Sequence, residues 1–109
     1  MTIYSAGTIV FLDYPYSAGG QTKARPALVV LDTGDADVMV ARITSQNQAS
    51  KHDVSLVDWL AAGLRLPSTV RLHKVLTVEK SLIRRTLGVL TPADRKSVAA
   101  VLASLFAGW

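Results

Sequence analysis

Three short stretches carry the side chains able to do chemistry. In KARPALVVL, Arg25 and Pro26 stand directly in front of five apolar residues; in VMVARITSQ, Thr44, Ser45 and Gln46 close an alternating run; in STVRLHKV, one residue separates Arg71 from His73. An arginine offers a permanent planar cation whose N–H fork matches two oxygens of an anion. A threonine hydroxyl donates or accepts a hydrogen bond without needing an unusual pKa. A histidine titrates near pH 6.5 and can give or take a proton near neutrality. An arginine at a strand end can equally be decoration, so the elements that hold these residues have to decide.

The chain has 109 residues, half of them hydrophobic and 18% charged. That is enough apolar material for one core, and we expect a single domain over residues 1–109, ordered nearly throughout. No window reaches the roughly 18 apolar residues needed to cross a bilayer, and the start MTIYSAGTIV has no basic n-region. No export signal is therefore read, no membrane is expected, and the cytoplasm is the expected compartment. With no cysteine, disulfides, a thiolate nucleophile and cysteine-based zinc sites are excluded. DTGDAD superficially suggests a calcium loop, but its twelfth position is Ile43 where a bidentate glutamate belongs. No metal or other cofactor is expected.

Net charge is +4 with a pI near 9.8, which suits a polyanionic or acidic partner without naming one. Three of the eight acids crowd into DTGDAD, whereas Lys23, Arg25, Arg42, Arg65, Arg71 and Lys74 lie in acid-poor segments. The separation suggests a positive face. Arg84 and Arg85 read as a solvated face or a dimer contact, and His52 as a surface residue.

TIVFLD reads as a first strand, followed by a loop over residues 15–23. PALVVL is too short for a helix and too apolar for a half-exposed strand, so it is expected at the centre of a sheet with Pro26 at its first position. VMVARITS pairs back as its hairpin partner across DTGDAD. DVSLV is a short strand, and WLAAGLRL a brief helical turn ended by Gly63 and Pro67. STVRLHKVLTV alternates, with Val70, Leu72 and Lys74 on one face and Arg71, His73 and Val75 on the other. The tail is helical: Thr91 at the N-cap, Pro92 at the first position, and an apolar stripe of Val98, Val101, Leu102, Leu105 and Phe106. Short strands closed by one amphipathic helix describe a small, strongly curved α+β protein, mainly β.

The order GTIVFLDYPY, KARPALVV, ARITSQ, GLRLPSTVRLHKV and TLGVLTPADRKSVAAVL resembles the MazF/PemK (Kid) toxins of type II toxin–antitoxin systems, from Gly7 to about Leu105. The resemblance implies a CcdB/MazF-like fold, an SH3-like barrel with a C-terminal helix, in a homodimer. It further implies a sequence-specific, metal-independent endoribonuclease acting on single-stranded RNA, neutralised by an antitoxin with an acidic, partly disordered tail. The arginine of RP and the threonine of TS are that family's recurrent catalytic pair, matching Arg25 and Thr44.

Metal-free RNA cleavage requires a base for the 2′-hydroxyl, an acid for the leaving 5′-oxygen and cations around the transition state. Arg25 suits the cation, Thr44 a donor to phosphate, and His73 or Arg71 the proton donor. Here the chain departs from Kid-like members, which carry an aspartate where this one has His73. Base recognition is expected from Tyr14, Tyr16, Ser17, Gln21, Lys23, Ser45, Gln46 and Lys74, by stacking and edge hydrogen bonds. Two other readings stay open. One is a gyrase inhibitor of CcdB type, whose C-terminal tryptophan has a counterpart in Trp109; the other is a degenerate relative that binds RNA or antitoxin without cutting.

Overall fold

The computed structural model describes residues 2–15 and 23–109. Six strands form one antiparallel sheet: β1 Thr8–Tyr14, β2 Lys23–Leu31, β3 Asp37–Thr44, β4 Asp53–Ser55, β5 Thr69–Glu79 and β6 Ile83–Val89, in the order β4-β5-β3-β2-β1-β6. Among the described residues one α-helix, α1, spans Pro92–Leu105.

β2 is buried on both faces, as its unbroken apolar run demands. Leu28 enters one core cluster with Ile9, Ile43, Val70, Leu72 and Val98. Its neighbours Ala27 and Val29 enter another with Val10, Leu12, Val40 and Val78. The sheet coils enough that β5 serves both clusters, Val70 and Leu72 the first, Val78 and Leu76 the second. The changeover sits at a bulge. Ala41 of β3 pairs with Val75 and the next residue, Arg42, with Arg71, so residues 72–74 have no partner on β3. Such an insertion bends a strand and sharpens its twist. It also breaks the expected alternation, since Lys74 is exposed rather than inward.

The Trp59 segment forms one turn, not a helix. Ala62 N donates to Asp58 O, and the turn closes with Gly63 N to Leu60 O and Leu64 N to Trp59 O, the paired bonds of a Schellman ending. Gly63 has φ +93°, the left-handed position that ending requires. The turn lies flat on β6: a Cβ on Gly63 would strike the Leu87 carbonyl, and one on Gly88 the Ala62 carbonyl. Two facing glycines let the backbones touch.

From the other side the turn is held by α1. Asp94 is 1% exposed and accepts hydrogen bonds from Val57 N at 2.9 Å and Asp58 N at 2.8 Å. Thr91 occupies the N-cap position, but its hydroxyl does not cap the helix; it donates to Asp58 Oδ2 at 2.7 Å. The expected position is right, and the hydroxyl serves the turn instead. Among the described residues no helix is long and apolar enough to cross a membrane.

Asp94→Ala should destabilise the protein by about 3 kcal/mol, because two charge-assisted bonds vanish and two amides lose their acceptor. Urea unfolding measures it. Thr91→Val, which removes one hydroxyl bond, should cost about 1 kcal/mol.

Candidate active site

The pairing of β2 with β3 runs through Leu28↔Ala41 to Ala27↔Arg42 and ends there. Continued in the same register it would set Pro26 across from Ile43 and Arg25 across from Thr44. Pro26 has no N–H to give a ladder. The strands part at that point, and a cavity of about 390 Å3 opens, lined by Arg25, Pro26, Ile43 and Thr44. The expected strand start is displaced: β2 begins at Lys23, and Pro26 is an interior residue opposite Phe11 of β1.

Arg25 and Thr44 therefore share one concavity. Ser45 and Gln46 line it as well. Gln46 N donates to Thr44 Oγ1 at 3.1 Å, which occupies a lone pair of that oxygen and leaves its proton available for another acceptor. Three further arginines line the cavity, Arg42, Arg65 and Arg85, and among the described lining residues there is no carboxylate. None of the four arginines has an ion-pair partner among the described residues. A concave wall with four cations and no counter-charge is an anion site by its field alone.

Arg85 corrects an expectation. It stands across from Phe11 in the β1–β6 pairing, its guanidinium carbon 5.2 Å from the ring centroid, a cation–π distance. Both it and its neighbour Arg84 are exposed, as expected, but Arg84 pairs with Asp13 at 2.8 Å whereas Arg85 lines the cavity. Arg42 was legible as a site residue, since it lies two positions before Thr44 on the same strand face. Arg65 sits in a turn, where no periodicity marks direction.

Arg71 and His73 are not among the residues lining this cavity. Arg71 stands directly across from Arg42 on one side and Asp53 on the other, and its Nε donates to Asp53 Oδ1 at 3.0 Å. Its Nη2 is 3.5 Å from His73 Nε2, and the His73 ring lies 5.2 Å from that of His52. His52 is not the surface residue expected. The residue is half-buried, its Nδ1 is buried with no hydrogen-bond partner, and its carbonyl accepts from Leu72 N.

Burial alone would raise the Asp53 pKa, but hydrogen bonds from Arg71 and Ser50 and the Arg71 charge overcome it and bring it down to about 2. His73 is held below the usual imidazole value, chiefly by lost hydration and then by the Arg71 cation, with Asp53 opposing.

Of the expected RNA-contacting residues, Tyr14 is a correction: it is 7% exposed and packs in the second core cluster, so no ring face is presented for stacking. Lys23 and Lys74 are exposed and outside the cavity lining. Tyr16, Ser17 and Gln21 lie outside the described residues.

A carboxylate whose folded pKa is about 2 against an ordinary 3.8 contributes stability that is complete above about pH 4 and lost as pH falls toward 2. Arg71→Met leaves Asp53 buried without its partner, so the acid-unfolding midpoint should move to higher pH. Urea midpoints measured from pH 5 down to pH 2 check this.

The fold is shared with solved structures. A mycobacterial endoribonuclease in complex with its cognate antitoxin matches with TM-score 0.76 and 23% identity, over 94% of this chain and 93% of that one. The Mycobacterium tuberculosis toxin MazF-mt6 matches with TM-score 0.76 and 22% identity, over 92% and 96%. MazF from Deinococcus radiodurans matches with TM-score 0.74 and 21% identity, over 98% and 99%. No curated protein sequence matches the chain. The family model that does match covers residues 5–106, which contain every strand and the helix and both lips of the cavity. By that match the chain belongs to the PemK-like, MazF-like toxins of type II toxin–antitoxin systems.

Proposed function

We propose that the chain is a sequence-specific endoribonuclease that cuts single-stranded RNA at the Arg25–Thr44 cavity without a metal ion. The observation that carries this is the meeting of Arg25 and Thr44 on the two lips of an acid-free cavity that holds three more arginines. Solved structures of the same fold that are endoribonucleases support it.

In this reading the Arg25 fork grips the two non-bridging oxygens of the scissile phosphate, and the Thr44 proton is donated to one of them. The 2′-oxygen passes its proton to the base and bonds to phosphorus; the bond from phosphorus to the 5′-oxygen breaks, and that oxygen takes a proton from water, the hydroxide so formed being neutralised by the protonated base. The products are a 2′,3′-cyclic phosphate and a 5′-hydroxyl. The guanidinium stabilises charge that grows in the transition state, which is why a fixed, desolvated cation outperforms a mobile one.

Proton transfer is assigned to His73, which lies outside the cavity lining but beside Arg71, the cross-strand neighbour of the lining residue Arg42. None of the described lining side chains titrates near neutrality, and Arg71 is tied to Asp53. The lowered His73 pKa keeps the ring neutral at pH 7, which fits it to accept the 2′-proton better than to donate to the leaving group. The partner is an antitoxin whose acidic tail neutralises the cavity arginines, in line with the toxin–antitoxin complex of the same fold. A homodimer in the cytoplasm completes the reading; exposed Val57, Leu60 and Leu66 beside the cavity turn supply apolar surface for an interface.

Purified protein with a labelled RNA pool in excess EDTA should give cyclic-phosphate ends at a restricted set of sites. Arg25→Ala should lower single-turnover cleavage by about 100-fold or more, on the scale of removing one transition-state donor. An RNA left intact while gyrase is inhibited would establish the CcdB-type alternative, for which the fully exposed Trp109 is the available hook. RNA binding without any cut would establish the degenerate one.

Cleavage by the wild type should fall as pH drops below the His73 pKa, because protonation removes the base. His73→Ala should abolish that limb of the single-turnover pH–rate profile. An unchanged profile would remove the histidine from the mechanism.

A further inference from the structure

The cavity is not built for a phosphate alone. Phe11, Pro26, Ile43, Leu64 and Leu87 form an apolar wall behind the arginines. An oxyanion gains nothing against such a wall, whereas the faces of a heterocyclic base do. A volume of about 390 Å3 falls in the range of sites that enclose a small organic molecule, roughly 300–1,000 Å3.

The polar groups in the cavity have a bias. Arg42, Arg65 and Arg85 can only donate, and no carboxylate among the described lining residues balances them. Thr44 keeps its proton free, having accepted from Gln46 N. Among the described lining side chains acceptors are fewer: the Gln46 oxygen, and lone pairs of Thr44, Ser45 and Ser68, the last giving its own proton to Leu66 O at 2.7 Å. Arg85 is exposed, but its guanidinium lies over the Phe11 ring, a contact that favours one placement of its N–H edge.

Such a site matches a base whose edge is mostly carbonyl oxygen. Uracil presents two carbonyls around one N–H, and guanine presents O6 and N7, to which an arginine fork bonds bidentately. Cytosine and adenine instead present an exocyclic amine, which would face guanidinium N–H groups and leave them unmatched. We propose that this cavity selects a keto base, uracil or guanine, beside the scissile phosphate, through Arg65 and through Arg85, which lies over Phe11. The inference rests on the reading of the cavity as an RNA site and assigns its specificity.

The test uses hexanucleotides methylated on every 2′-oxygen, so that none is cut, identical except for one central base: uracil, cytosine, hypoxanthine or adenine. Fluorescence anisotropy should show uracil bound more tightly than cytosine and hypoxanthine more tightly than adenine, each by at least about fivefold, the lower end for one well-formed base contact. Equal affinities, the reverse order, or no binding of any of the four overturns the proposal. Arg65→Lys and Arg85→Lys keep the charge and lose the fork. They should bring the uracil-to-cytosine ratio toward one while the cytosine oligomer keeps its affinity; an equal loss on both would put these arginines on phosphates and overturn it. Unmethylated RNAs assayed for cleavage in parallel separate the two readings. Cutting without a keto preference sinks the specificity and leaves the nuclease, and a keto preference without cutting does the opposite.

Discussion

A missing backbone donor opens the site. The β2–β3 ladder would run on to bring Arg25 against Thr44 as an ordinary cross-strand pair, with both side chains in solvent and nothing between them. Pro26 ends it two residues early. The same proline fixes the backbone just after the arginine, and the buried run behind it, Ala27 to Val29, anchors the strand in both core clusters. The cation at the mouth is thus mounted on one of the most constrained stretches of the molecule, which is what pre-organised binding of an anion needs.

The opposite wall of the cavity is a turn, and turns have little rigidity of their own. Here it is clamped twice. Asp94 and Thr91 of α1 hold its entrance through Val57 and Asp58, and the contact of Gly63 with Gly88 seats its exit on β6. The placement of Leu64 and Arg65 therefore depends on a helix that contributes no residue to the cavity lining.

The acids are spent away from the cavity. Asp53 is matched to Arg71, Asp32 to Lys80 at 2.9 Å, and Asp13 to Arg84, while Asp94 is consumed by backbone amides. Asp32 also accepts from Tyr4 N and Gly34 N, which with Lys80 hold its carboxyl below the usual range. A chain of only modest net charge thereby concentrates four unmatched guanidinium groups in one concavity. Repulsion among them makes an anionic occupant the natural complement, be it a nucleic-acid backbone or an acidic peptide.

The linear chain determined much of this. The apolar run after Arg25-Pro26 made β2 a two-sided strand, ARITSQ set Thr44 at the end of its neighbour, and Thr91-Pro92 started the helix, because period-two and period-3.6 patterns and caps are local properties. Arg84 and Arg85 show where that ends: alternation says they face opposite ways, and only the bulged pairing of β6 with β1 says which one meets Phe11. Tyr14 joined the core and the Nδ1 of half-buried His52 lost its access to water through packing between elements distant in sequence, in a sheet whose bulge at residues 72–74 no local pattern announces. Tertiary structure alone decided which cations share the cavity and which acids are kept from it, since charge neutralisation depends on distances between strands far apart in sequence.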